Sequence, residues 1–144
     1  MIHEWERGSA TVSTDKDRLD LVVVHEFLTK AYWSPGVSAE TVRRSIEHSI
    51  PFGVFEHDHQ VGFARVISDQ TTFAYLADVF VVPEARGQGL ARFLLECILA
   101  HPDLQQVHTW ALFTRDAHGL YERVGFERGQ RLDRLMIRRG TTAS

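Results

Sequence analysis

The segment from Phe73 to Ala100 constrains the fold most. FAYLADVFVV is rich in aromatic and β-branched residues and reads as a central strand, which Pro83 ends. Arg86-Gly87-Gln88-Gly89 follows, and then Leu90 to Ala100, an apolar helix stopped by His101-Pro102. A buried strand that turns through two glycines into a buried helix needs a sheet with a helix packed on it. It also leaves the free N–H groups of a helix N-terminus at the mouth of that turn, where the helix dipole favours an anion. Gly87 and Gly89 permit positive φ and close approach of a bulky ligand. Arg86 adds a guanidinium fork, and Arg92 sits one turn into the helix.

The flanking segments extend the pattern. Ser9 to Thr14 alternates as a first strand. Asp15, Asp17 or Asp20 can cap a helix whose Leu19, Val23, Phe27, Leu28 and Ala31 share a face. Trp33-Ser34-Pro35-Gly36 breaks that helix, and Ser38 caps a second one carrying Val42, Ile46 and Ile50. Phe52–Glu56 and Val61–Ile67 form a hairpin across the turn His57 to Gln60. Val107 to Phe113 is another buried strand. Asp116 can cap a short helix to Val124, and Phe126–Gln130 and Leu135–Arg138 read as closing strands. The predicted order is β-α-α-β-β-β-α-β-α-β-β: an α/β (α+β) class, with a mixed, mostly antiparallel sheet and helices on both faces.

At 144 residues, with 44% hydrophobic and 24% charged side chains, residues 1–144 are expected to form one domain able to bury a core. The longest strictly hydrophobic run is the five residues Phe73 to Ala77, so neither a membrane-spanning helix nor a secretory leader is expected, and the expected compartment is the cytoplasm. The net charge of −3 argues against nucleic acid as partner. Residues 1–72 are net −4 and residues 73–144 net +1, so an anion suits the second half and a cation the first. Cys97 is alone and falls in the apolar stripe of its helix, which suits packing rather than nucleophilic chemistry. His57 and His59 flank Asp58 in a solvated turn, and no metal site is expected. Known phosphate loops do not match: there is no G-x-x-x-x-G-K-[ST] and no G-x-G-x-x-G, and no G-x-S-x-G supports a serine hydrolase.

Arg86 to Ala91 does fit [Q/R]-x-x-G-x-[G/A], set in V-P-E-x-R-G-x-G after an apolar strand. Tyr121-Glu122-Arg123-Val124-Gly125-Phe126 fits Y-x-x-x-G-F, and Trp110 to Thr114 stands between the two. In these motifs and in element order the chain resembles the GNAT superfamily of N-acyltransferases, most closely from Tyr75 to Phe126, and it looks like a compact bacterial subgroup of unknown acceptor. The resemblance implies transfer of an acetyl group from acetyl-CoA to a small primary amine by direct attack in a ternary complex, with no metal. It implies that Asp78–Val82 splays from Val107–Phe113, with pantetheine in the gap along Phe80, Val81 and Val82. It implies a pyrophosphate held at Gly87, Gln88, Gly89, Leu90 and Ala91 beside Arg86 and Arg92, with Thr114 and Tyr121 also facing the coenzyme. Homodimers are frequent among similar proteins, so a homodimer is an expectation of the same kind.

An alkyl amine of pKa 10.4 is about 3.4 units from pH 7, so keeping it neutral costs roughly 4–5 kcal/mol unless a base helps. Asp78 is the candidate base; Asp116, His118 and water are rivals. Tyr121 is the expected proton donor to the departing thiolate. Tyr32 and Trp33, in the loop between the first two helices, are candidate acceptor contacts, as is His118, and their aromatic faces suit a cationic amine. Two competing readings remain: a non-catalytic acyl-CoA-binding sensor, and an acetyltransferase acting on a peptide or protein amine.

Overall fold

A computed structural model describes residues 1–130 and 132–140. Its strands are β1 (Glu4–Arg7), β2 (Ala10–Ser13), β3 (Ile50–Glu56), β4 (His59–Ser68), β5 (Phe73–Val81) and β6 (Thr109–Ala111); its helices are α1 (Leu21–Leu28), α2 (Ala39–Glu47), α3 (Leu90–Ala100) and α4 (His118–Glu122). The sheet order is β1-β2-β3-β4-β5-β6, antiparallel throughout except for the parallel pair β5–β6. The mixed, mostly antiparallel sheet with helices on both faces is therefore as expected.

Each face is closed by helices whose sequence spacing matches the job. In α3, Leu90, Phe93, Leu94, Leu95, Cys97 and Ile98 are buried and meet Val12, Val54, Val66 and Leu76 on one face. Burial pushes the Cys97 thiol up to about 12, which keeps it an inert packing group. On the other face, Val24 and Leu28 of α1 and Val42 and Ile46 of α2 pack on Phe63 and Phe80. Asp20 caps α1 by accepting from the N–H groups of Val22 and Val23, and Ser38 caps α2 by accepting from Thr41. Asp15 instead caps the short 3-10 turn Lys16–Arg18. A Cβ on Gly53 in β3 would stand 2.8 Å from the Phe55 ring and 2.9 Å from Leu19, so any side chain there would force those two to shift.

The ends of the chain differ from expectation. The first strand is a hairpin, because β1 precedes β2 across Gly8, which has φ +59°. An edge strand whose Glu4, Glu6 and Arg7 are exposed carries no apolar alternation to announce it. The strand expected over 107–113 is three residues long, since β6 pairs with β5 only at Phe73–Tyr75. Asp116 does not cap α4. That helix begins at His118, and the Thr114 hydroxyl accepts from the Ala117 N–H ahead of it, while Asp116 lies exposed 3.8 Å from Arg115. The closing strands expected over Phe126–Gln130 and Leu135–Arg138 are absent: Leu132–Arg134 is a 3-10 turn, and Leu135, Met136 and Ile137 stay exposed. Alternation alone does not make a strand when neither face is buried.

His101 is buried at the end of α3, where its Nδ1 accepts from the Asp103 N–H at 3.0 Å. Burial above all, then His3 at 4.7 Å between ring centroids and the N-terminus, hold its pKa below the ordinary value, while Asp103 pulls the other way. The unfolded chain therefore takes up the proton first. This stability is complete above about pH 6.5 and is lost as the pH falls through the folded value. Melting temperature should drop on acidification from pH 8 to pH 5. His101→Asn, which keeps a capping acceptor, should flatten that slope; an unchanged slope would assign it to other groups.

Candidate functional site

The turn between β5 and α3 is an open ring of donors. Pro83–Ala85 makes a single 3-10 turn, Arg86 is extended, and Gly87 and Gly89 adopt φ +82° and +75°. Leu90, buried, anchors the start of the helix. The backbone N–H groups of residues 87–92 find no acceptor among the described residues. A Cβ on Gly87 would meet nothing within 4 Å, and one on Gly89 only the Arg7 Nη2 at 3.4 Å. Uncovered backbone, unspent donors and a helix N-terminus fit a diphosphate. Arg86 stands beside them with its Nε donating to the Val81 carbonyl at 2.9 Å. Arg7 was not anticipated. Its Nη2 donates to the Gly89 carbonyl at 2.9 Å and its guanidinium lies 4.6 Å from the Phe93 ring centroid, so β1 delivers a second cation to the loop.

β5 and β6 pair at three positions and then part, which opens the expected gap beyond Tyr75 and Ala111. The strand groups facing it differ from expectation. The Val82 N–H donates to Val61 at 2.8 Å, and Phe80 pairs with Phe63, so both are turned toward β4. Alternation along the strand leaves Val81 as the residue whose backbone faces away from β4. The Phe80 side chain is core, stacked 4.0 Å from Phe27.

A cavity of about 630 Å³ opens on the α1–α2 side of the gap, lined among others by Tyr32, Trp33, Asp78, Thr114, Asp116 and Tyr121. The structure thus brings most of the candidate chemistry into one place. His118 does not line it. The cavity owes its shape to a bulge: the pairing jumps from Phe63–Phe80 to Arg65–Ala77, and Asp78 takes φ +57°. A non-glycine residue in that region is strained by about 1–2 kcal/mol. The bulge turns the Asp78 carboxylate between two donors, Arg65 Nε at 2.6 Å on Oδ2 and Trp33 Nε1 at 2.9 Å on Oδ1. Each carboxylate oxygen thus accepts one hydrogen bond, and Asp78 ties the β4 arginine to the α1–α2 loop in the cavity wall.

Tyr121 is 8% exposed and packs edge-on to Phe126, with ring centroids 6.0 Å apart. Its hydroxyl has no hydrogen-bond partner, yet no buried polar side-chain atom among the described residues lacks one, so the hydroxyl opens on the cavity. Burial first, and Tyr32 second, push the phenol up to about 12, which keeps it protonated as a donor. Tyr32 carries Arg115 on its ring at 3.9 Å and accepts from the Arg115 N–H at 3.1 Å, tying the α1–α2 loop to the segment before α4.

Known proteins match this arrangement. The acetyltransferase (GNAT) domain family matches residues 48–128, more than half of the chain. A proposed acetyltransferase of Gibberella zeae is 30% identical over 141 residues, covering 81% of this chain and 78% of its own length. The crystal structure of a proposed GNAT acetyltransferase from Xanthomonas campestris pv. campestris shares 45% identity at a TM-score of 0.88, over 94% of this chain and 96% of that one. The Escherichia coli ribosomal-protein-S18-alanine N-acetyltransferase shares 26% identity at a TM-score of 0.67, over 82% and 77%. By the family match over residues 48–128, and by relatives of 30% and 45% identity that cover most of its length, the chain belongs to the GNAT acetyltransferases.

Proposed function

We propose that the protein acetylates a small primary amine by direct attack on acetyl-CoA. The observation that carries this reading is the run of unspent N–H groups from 87 to 92 at one end of the gap, with the free Tyr121 hydroxyl on the cavity beside it. Acetyl-CoA supplies the activated acetyl thioester. The donors of 87–92, with Arg86 and Arg7, hold its diphosphate, and Val81 lines the gap along its arm. Tyr121 donates a hydrogen bond to the sulfur as the C–S bond breaks and the N–C bond forms. Asp78 fixes Arg65 and Trp33 in the acceptor wall, and the amine loses its proton to water in the open cavity. Release of free thiol from acetyl-CoA that depends on an added amine tests the reading; coenzyme binding without turnover over an amine panel would make the protein a sensor instead.

The role of Asp78 is separable. If the amine must simply be neutral, kcat/KM rises with pH toward the amine's own pKa. Asp78→Asn should keep that rise while lowering the rate, because Asn tolerates positive φ and can still accept from Trp33. Loss of the rise in Asp78→Asn, measured from pH 6 to pH 9, would restore Asp78 as the base.

A further inference from the structure

We propose that the acceptor carries its own carboxylate, as a free amino acid does, and that Arg65 selects it; this rests on the acetyl-transfer reading above. Arg65 stands on β4 in the cavity wall, its side chain 18% exposed and its Nε donating to Asp78 at 2.6 Å. Neither Nη nitrogen has a hydrogen-bond partner among the described residues, and neither is sealed from solvent, since no buried polar side-chain atom goes unpartnered. The guanidinium is therefore held by one edge and empty along the other.

That geometry is preset. Asp78 accepts from Nε and is itself held on its second oxygen by Trp33, so the fork cannot swing out to solvent without breaking its 2.6 Å bond to an anchored carboxylate. A guanidinium stays charged at any working pH, and two adjacent N–H donors in a plane match the two oxygens of a carboxylate. The wall carries two carboxylates, Asp78 and Asp116, and two guanidiniums, Arg65 and Arg115, with Arg115 3.8 Å from Asp116, and this balance of charge suits a zwitterion better than a phosphate dianion. Tyr75 and Phe113, with ring centroids 6.2 Å apart, offer an apolar face to the body of the ligand. A zwitterion meets both signs of this wall, its carboxylate on Arg65 and its amine left for the thioester.

The test compares α-, β- and γ-amino acids with their carboxamides as acceptors, following thiol release from acetyl-CoA by the wild-type protein. For the best acceptor, kcat/KM should be about ten- to a hundredfold higher for the acid than for its amide. The amide has the less basic amine and would lead on reactivity alone, so this preference must come from the site. Arg65→Lys, which keeps the charge but loses the fork, should bring the ratio toward one while amide turnover changes less. Equal or better turnover of amides, of simple amines or of peptides overturns the carboxylate assignment and leaves acetyl transfer standing. No thiol release with any amine overturns both. The wild-type ratio decides the matter even if the Arg65 variant fails to fold.

Discussion

Replacing Tyr121 by Phe should lower kcat about a hundredfold, close to 2.7 kcal/mol of transition-state stabilisation, with little change in coenzyme affinity. The substitution removes one atom from a side chain whose ring packs on Phe126 and whose hydroxyl bonds to no other group among the described residues. Stability should therefore change by no more than about 0.5 kcal/mol, so any rate loss is chemical. The expected mode of action follows from the phenol's surroundings. Burial pushes it up to about 12, whereas a free thiol lies near 8.5. Full transfer of the phenolic proton to a resting thiolate would then be uphill by roughly 5 kcal/mol. The hydroxyl instead does most as a hydrogen-bond donor to sulfur while charge develops there, with the net proton coming from the nucleophilic amine. It follows that no alkaline fall in kcat due to Tyr121 should occur below about pH 11. Steady-state kinetics of Tyr121→Phe, beside its coenzyme affinity measured by titration, checks both points; an unchanged kcat would remove Tyr121 from the chemistry.

The parts of this site that were legible in the sequence are those made by neighbours in the chain. The strand–glycine–helix junction is local, so the bounds of α3 and the open loop follow from Pro83, Gly87, Gly89 and the spacing of Leu90, Leu94 and Ile98. What stayed hidden comes from pairing across the sheet. Nothing near Asp78 indicates that a bulge will rotate it onto Arg65, thirteen residues earlier, and onto the Trp33 indole. Arg7 reaches Gly89 across a separation of 82 residues, from an edge strand with no apolar pattern. Two signals were present in retrospect. Arg65 is the lone charged side chain in a run of apolar residues and glycine, VGFARVI, and an arginine so placed requires a partner. Tyr32 and Trp33 precede the turn that Pro35 and Gly36 make, so the same turn that ends α1 delivers them to the cavity wall. The tail failed for the opposite reason: Leu135, Met136 and Ile137 are apolar, yet they stay exposed and pair with no strand, so their pattern has no buried face behind it.

Coenzyme A affinity should fall by at least about a hundredfold in the double variant Arg86→Ala/Gly89→Trp, with the fold retained. The two changes act on one place by different means. Gly89 has φ +75°, a conformation that costs an L-residue about 1–2 kcal/mol, and a large side chain built there rises over the ring of N–H groups and against the Arg7 guanidinium. Arg86→Ala removes a cation that the loop holds by its bond to the Val81 carbonyl. Hydrogen bonds to a charged group are worth roughly 1.5–3 kcal/mol each, so losing two of the six donors and one guanidinium exceeds the 2.7 kcal/mol that a hundredfold requires. The protein is net −3 and its ligand polyanionic, so no long-range attraction can replace these contacts. Stability should fall by about 1–2 kcal/mol, the strain at position 89, with the fold retained, because Gly89 lies on the surface and Leu90, which anchors the helix, is untouched. Calorimetric titration of coenzyme A into both proteins, with circular dichroism as the control for folding, gives the answer; binding that survives the double change would move the coenzyme site away from this loop.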